Sequence, residues 1–277
     1  MDYWHGHCLS HAIINQLFYQ MKKPINYFQK WIAVLAIGFV GFACTEKEDA
    51  DMNEPQSQAT LTAEAFSSTS ASSSNSRVIV NGFATSEFWV GSKDVEMKYA
   101  AKADLLAGIS LGSITLRTNV NAGLQTAATK NQTFAIVSNG EVKSSVLGQG
   151  RTPEGNYQEV SFRLFKNTEV ESTDPVYEKS LLIMGEVQGK SSNIWLNTEK
   201  MIRAKAQSTQ GVEVDGQTEM VLVFDMDKLF ANVDFATAVD TNADGRIDIG
   251  PGAADTNAII LAQIESNLES AVSLKKK

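Results

Sequence analysis

Oxygen-bearing side chains recur between residues 240 and 248: Asp240, Asn242, Asp244 and, after Gly245-Arg246-Ile247, Asp248. Hard oxygen donors at alternate positions, with a glycine where the chain must turn sharply, suit a calcium ion. In that scheme Asp240, Asn242 and Asp244 offer side-chain oxygens and Arg246 its backbone carbonyl. Asp248 acts through water, and Ile247 points inward. Pro251 stands where a bidentate glutamate would close such a loop, and Asp255 is the candidate to complete the shell. The expected role is structural, with an affinity of roughly 0.1–1 mM, as in extracellular modules. The same residue types also build plain turns, in which Asp and Asn side chains bond to nearby backbone N–H groups.

The rest of the chemistry is narrowed by what is missing. His5, His7, His11 and Cys8 all precede Cys44, and residues 45–277 contain no histidine or cysteine. A Ser-His-Asp or Cys-His nucleophile cannot be built there, nor a His/Cys zinc site. Carboxylates remain. Glu159, Glu186, Asp225 and Asp227 fall on or beside expected strands. A glycoside hydrolase would need two of them roughly 5–10 Å apart. No local motif selects a pair, so a carboxylate-based hydrolase is the alternative and a non-catalytic protein the leading expectation.

Cys44 closes the apolar run of residues 31–43, and Thr45-Glu46-Lys47-Glu48-Asp49 follows at once. The run is shorter than the ~20 residues of a membrane span and fits the apolar core of a secretory signal. Lys22 and Lys23 supply the positive flank. The pattern resembles the lipobox of a bacterial lipoprotein, with Ala43 as the small residue before cleavage, although Gly41 and Phe42 depart from the usual residues. The resemblance implies cleavage before Cys44 and lipidation of its thiol. It places the protein on the outer membrane, lipid-anchored and surface-exposed. The acidic run is similar to an export signal for that placement, and strongly hydrated carboxylates would hold the chain off anionic headgroups. Residues 1–20 then precede an ordinary signal at 21–43 and are either a misassigned start or a genuine extension. Cleavage leaves 21 Lys and Arg of 24, and 31 Asp and Glu of 32, so the net charge goes from −8 to about −10. Such a surface does not favour nucleic acid.

Residues 52–76 are rich in Ser, Thr and Ala and read as a disordered tether, so residues 44–76 form a lipidated, acidic and Ser-rich linker ahead of a domain at 77–277. Period-two alternation dominates that domain. It is seen at Val95, Met97 and Tyr99, at Ile114 and Leu116, and at Val160, Phe162 and Leu164. Asn139-Gly140 marks a hairpin, because both residues tolerate positive φ. Met220–Phe224 is a continuous apolar run suited to a central strand. Residues 257–274 carry apolar groups at helical spacing, with Asp255 or Thr256 as cap, and Lys275-Lys276-Lys277 reads as a frayed tail. The expected fold is mainly β: an antiparallel β-sandwich with a C-terminal amphipathic helix.

Taken in order, several stretches resemble uncharacterised bacterial surface lipoprotein domains of β-sandwich type. They are Val95–Tyr99, Gly155–Leu164, Ser180–Val187, Leu222–Asp225, the Asp240–Asp248 loop and the final helix. The resemblance implies an envelope location and no known activity. The expected partners are the membrane, through the lipid, and a glycan or another envelope component. Exposed aromatics would be the platform for a sugar ring. Phe88, Trp89, Trp195 and Tyr157 are the candidates; each has core packing as its alternative, and that alternative is favoured for Trp195, which sits amid apolar residues. A purely structural or adhesive role is a further alternative.

Overall fold

The computed structural model describes residues 54–69, 78–118 and 122–277. The lipobox, Cys44 and the signal segment lie outside the described residues, as do 70–77. The described residues all belong to one unit, Glu48–Lys277.

The first half of this unit contains β1 (Gln56–Phe66), β2 (Val78–Val80), β3 (Phe83–Ala101), α1 (Lys102–Leu106), α2 (Gly123–Ala128), β4 (Gln132–Ser138), β5 (Glu141–Val142), β6 (Ser144–Pro153) and β7 (Gly155–Leu164). The second half contains β8 (Leu181–Val187), β9 (Lys190–Leu196), β10 (Met201–Ala206), β11 (Val212–Val214), β12 (Thr218–Asp225), α3 (Met226–Leu229), β13 (Arg246–Ile249), α4 (Ala258–Asn267) and β14 (Val272–Lys276). The strands form one large sheet in the order β13-β9-β8-β3-β7-β10-β14-β12-β1-β6, with β2, β4, β5 and β11 paired as branches. The protein is thus mainly β, as its alternation requires. The sheet is mixed, not antiparallel throughout: β1 with β12, β10 with β14 and β9 with β13 run parallel.

The spine is β3, whose first half pairs with β8 and β4 and whose second half pairs with β7. Three two-residue turns set the register of neighbouring hairpins. Asn139-Gly140 links β4 to β5, Gln188-Gly189 links β8 to β9, and Asn81-Gly82 links β2 to β3, each with φ positive at both residues. That geometry matches the right-handed twist of the flanking strands. The apolar core is continuous. Phe224 of β12 lies 6.0 Å, ring centre to ring centre, from Phe88 of β3 and 6.3 Å from Phe162 of β7. Strands far apart in the hydrogen-bonded order therefore meet through their side chains.

Three segments differ from the sequence expectation. The tether expected over 52–76 contains β1, whose Ala59, Leu61, Ala63 and Ala65 are buried. Small alanines supply the period-two face, and the polar residues between them carry the disordered composition. The helix expected over 257–274 stops at Asn267, where the Asn267 amide donates to the Leu229 and Ala231 carbonyls. The chain then switches to period two at Val272 and Leu274 and enters the sheet as β14. The terminal lysines are accordingly held, with Lys275 paired to Glu64 at 2.8 Å and Lys277 to Glu219 at 2.7 Å. Ile114 and Leu116 form no strand; only Arg117, next in line, makes a single bridge to Tyr99.

Candidate functional site

Successive residues of a strand point to opposite faces of its sheet. At Phe88-Trp89 that rule divides two candidate ligand aromatics. Phe88 is fully buried against Phe224, so its expected role in binding is corrected to core packing. Trp89 faces the other way and is half-buried. It lies between Leu182 of β8 and Ala135 of β4, where the β3–β4 register slips by a residue. Such bulges re-aim side chains and gather beside binding sites.

Trp89 lines an open groove of about 780 Å³. Met184, Phe165, Val170 and Val176 give it an apolar bed, and Glu87, Asn131, Glu169 and Asp174 a polar margin. The segment after β7 forms one wall. It is drawn against β3 at Gly91, which accepts from Phe165 N–H and donates to the Ser180 carbonyl. A Cβ on Gly91 would sit 2.1 Å from the Phe165 carbonyl oxygen, so only glycine allows this approach. Several polar groups of the wall are fixed by one another. The Asn167 amide donates to Thr133 Oγ1 and accepts from Glu169 N–H, and Asn131 donates to Glu169. Glu87 accepts from Asn139 N–H in the β4–β5 turn. A preorganised polar rim over an apolar bed is the usual make-up of a small-ligand site.

The other aromatics go elsewhere. Tyr157 is fully buried and stacks on Tyr99 with ring centres 5.2 Å apart, which corrects it to the core. Burial pushes the hydroxyl pKa of both tyrosines well above the ordinary value. Trp195 is half-buried, and its indole occupies the space where a Cβ on Gly250 would stand.

The Asp240–Asp248 loop has a folded interior. Asp240 accepts from the N–H groups of Asp244 and Gly245, Asn242 from Asp244, and Asp244 from Arg246. These are the bonds the alternating Asx pattern makes. Lys190 on β9 donates to Asp240 at 2.9 Å, and this bond holds the Asp240 carboxyl below the usual range. Arg246 grips Asp248 with two bonds of 2.8 Å. Asp255 does not cap the helix. It is buried and accepts from Asp248, Thr241 and Asn242 N–H groups, and these bonds lower its pKa, that from Asp248 most. Asn257 beside it joins Val239 to Asp248. Among the described residues no group of three His, Cys, Asp or Glu is placed to hold a metal.

Three of the four carboxylates singled out in the sequence have named partners, and two of them, Asp225 and Asp227, stand at the start of α3. Glu159 pairs with Lys98 at 2.7 Å, Asp225 caps α3, and Asp227 accepts from Ser67 and Ser68. Glu186 is exposed on β8. The groove itself was partly legible: Trp89 was singled out, but Phe165 and the wall beyond β7 carried no motif. Comparison with protein-family models, with curated proteins and with solved structures finds no match for this chain.

Proposed function

We propose that this protein is a non-catalytic, lipid-anchored module of the bacterial outer surface and that the Trp89 groove binds a glycan of the envelope. The observation that carries this reading is the half-exposed Trp89 above an apolar bed, ringed by fixed amides and carboxylates. A sugar presents apolar C–H faces to an aromatic ring and hydroxyls to planar polar groups, and the groove offers both. The absence of histidine and cysteine from residues 45–277 agrees with a binding role, and the lipobox-like segment with the surface placement. We also read the sheet as folding over into a sandwich, which the contact of Phe224 with Phe88 and Phe162 supports. Trp89→Ala should cost about 2 kcal/mol of binding, roughly thirtyfold in Kd, as for a central aromatic anchor. Isothermal titration with a glycan selected on an array measures this. An unchanged Kd in the variant would remove the groove from the account.

Calcium is proposed as a weak structural ion at the Asp240 loop, held by Asp240, Asn242, Asp244 and the Arg246 carbonyl. Lys190 and Arg246 already neutralise part of this loop, which keeps the affinity low. At a calcium concentration about ten times Kd the gain is about 1.4 kcal/mol, or some 3–5 °C in melting temperature for a domain of this size. A scan showing no shift at 10 mM calcium, a concentration about ten times the upper Kd expected of such a site, would contradict it.

A further inference from the structure

Residues 105–116, Leu-Leu-Ala-Gly-Ile-Ser-Leu-Gly-Ser-Ile-Thr-Leu, contain no charged residue and six large aliphatic side chains. None of the six is buried. Leu106 is 80 % exposed, Ile109 43 % and Leu116 37 %, while Leu105, Leu111 and Ile114 are half-buried. Surface loops are ordinarily polar, and single exposed apolar residues need no explanation. The other large exposed hydrophobics, such as Ile79, Val146, Val239 and Ile259, are spread over separate elements. The run at 105–116 instead gathers six such side chains in one uncharged segment, and concentrated exposed apolar surface marks an interaction site.

What covers this loop follows from where the chain enters the domain. Glu54 pairs with Arg117 at the loop's end, and its other oxygen accepts from the Tyr99 hydroxyl at 2.7 Å. Arg117 also reaches Asp104 at 3.5 Å, on the loop's other side. Lys102 is paired with Glu154 at 3.1 Å. The entry point is thus fastened to the base of the apolar loop, and the charges flanking that loop are engaged with partners. Ten residues separate Glu54 from Cys44 in sequence. A chain of that length spans at most about 35 Å, and far less on average. A lipid on Cys44 would bring the bilayer surface within reach of Leu106.

We propose that residues 105–116 are a membrane-docking loop whose aliphatic side chains enter the lipid interface beside the anchor. This rests on the lipid-anchored reading of Cys44. The acyl chains supply attachment, and the loop supplies orientation. Trp89 lies twelve residues before Ala101 on β3. At the rise of a strand this is roughly 40 Å, less where the strand bends. A docked loop at the far end of β3 therefore turns that strand into a spacer, with the groove held away from the bilayer.

The test uses the mature acylated protein in nanodiscs of phosphatidylethanolamine with a minority of phosphatidylglycerol. A Leu106→Cys variant is labelled with an environment-sensitive fluorophore, since the sulfur of Cys44 is blocked by its lipid. The label should come to rest roughly 5–10 Å below the headgroup boundary, as read by quenching from spin-labelled lipids at graded depths. The same label on Ser191→Cys, in the β8–β9 region, should stay in water. A Leu106 label that stays in water while the unsubstituted protein takes no label overturns the docking loop alone. Labelling of the unsubstituted protein at Cys44 overturns the anchor and the docking loop with it. A Leu106 label that is shielded without nanodiscs, in step with protein concentration, assigns the loop to a second copy of the chain and overturns the lipid proposal.

Discussion

Phe224→Ala should lower the stability of the domain by about 3–5 kcal/mol. The ring is 2 % exposed and is the contact through which β12 meets β3 and β7. Removing it leaves a cavity bounded by Phe88 and Phe162. These belong to strands already fixed by their own pairing, so the cavity cannot close by a small shift. In a domain of this size the loss corresponds to roughly 10 °C or more in melting temperature. It consumes a large share of the ~5–15 kcal/mol that holds a typical fold. Phe224→Leu keeps most of the volume and should recover much of the loss. Urea melts followed by circular dichroism give both numbers. A loss below about 1 kcal/mol in Phe224→Ala would mean that the strands do not pack through this ring.

The second large effect is expected at Asp255. Its buried carboxylate receives three backbone N–H groups, two at the start of the loop and one in β13. Asp255→Ala leaves those donors without their acceptor, at a cost of about 2–4 kcal/mol. Asp255→Asn should recover only part of this, because the amide nitrogen cannot accept from Asp248 N–H. The acid limb of stability should change as well. The N–H groups, that of Asp248 foremost, lower the pKa of Asp255 in the folded state, and the bond from Lys190 lowers that of Asp240. A depressed carboxylate pKa adds stability that is fully present above the unfolded value, about 3.9 for Asp, and is lost as pH falls through the folded value. The native protein should therefore lose stability as pH drops below about 4. Asp255→Ala should show a shallower decline there while already less stable at pH 7. Melting curves taken between pH 7 and pH 3 test this, and coincident curves for the two proteins would sink it.

The fold was legible where alternation was carried by large side chains. Val160, Phe162 and Leu164 lie in β7, Met220–Phe224 in β12, and Asn139-Gly140 closes its hairpin. It was illegible where the buried face is built from alanine, as in β1, because tether composition and a small-residue strand look alike until a partner strand is present. β12 supplies that partner for β1 in parallel register. The helix at 257–274 failed at its end for a related reason. Leu268 and Val272 continue a helical spacing, but Val272 and Leu274 also fit a strand, and an open place between β10 and β12 decides in favour of the strand. In the candidate site, alternation is enough to send Phe88 and Trp89 to opposite faces once the strand is known. The register slip of β4 beside Trp89, and the approach of Phe165 at Gly91, depend on pairing between distant segments.

The groove is the point on which the functional account stands. Amide hydrogen exchange with and without a saturating glycan, chosen from an array, locates the bound sugar without presuming where it lies. Protection is expected in β3 around Glu87–Trp89, in β4 and in the wall at 165–176, with the Asp240 loop and residues 105–116 unchanged. Protection anywhere else, with those segments unaffected, would contradict it.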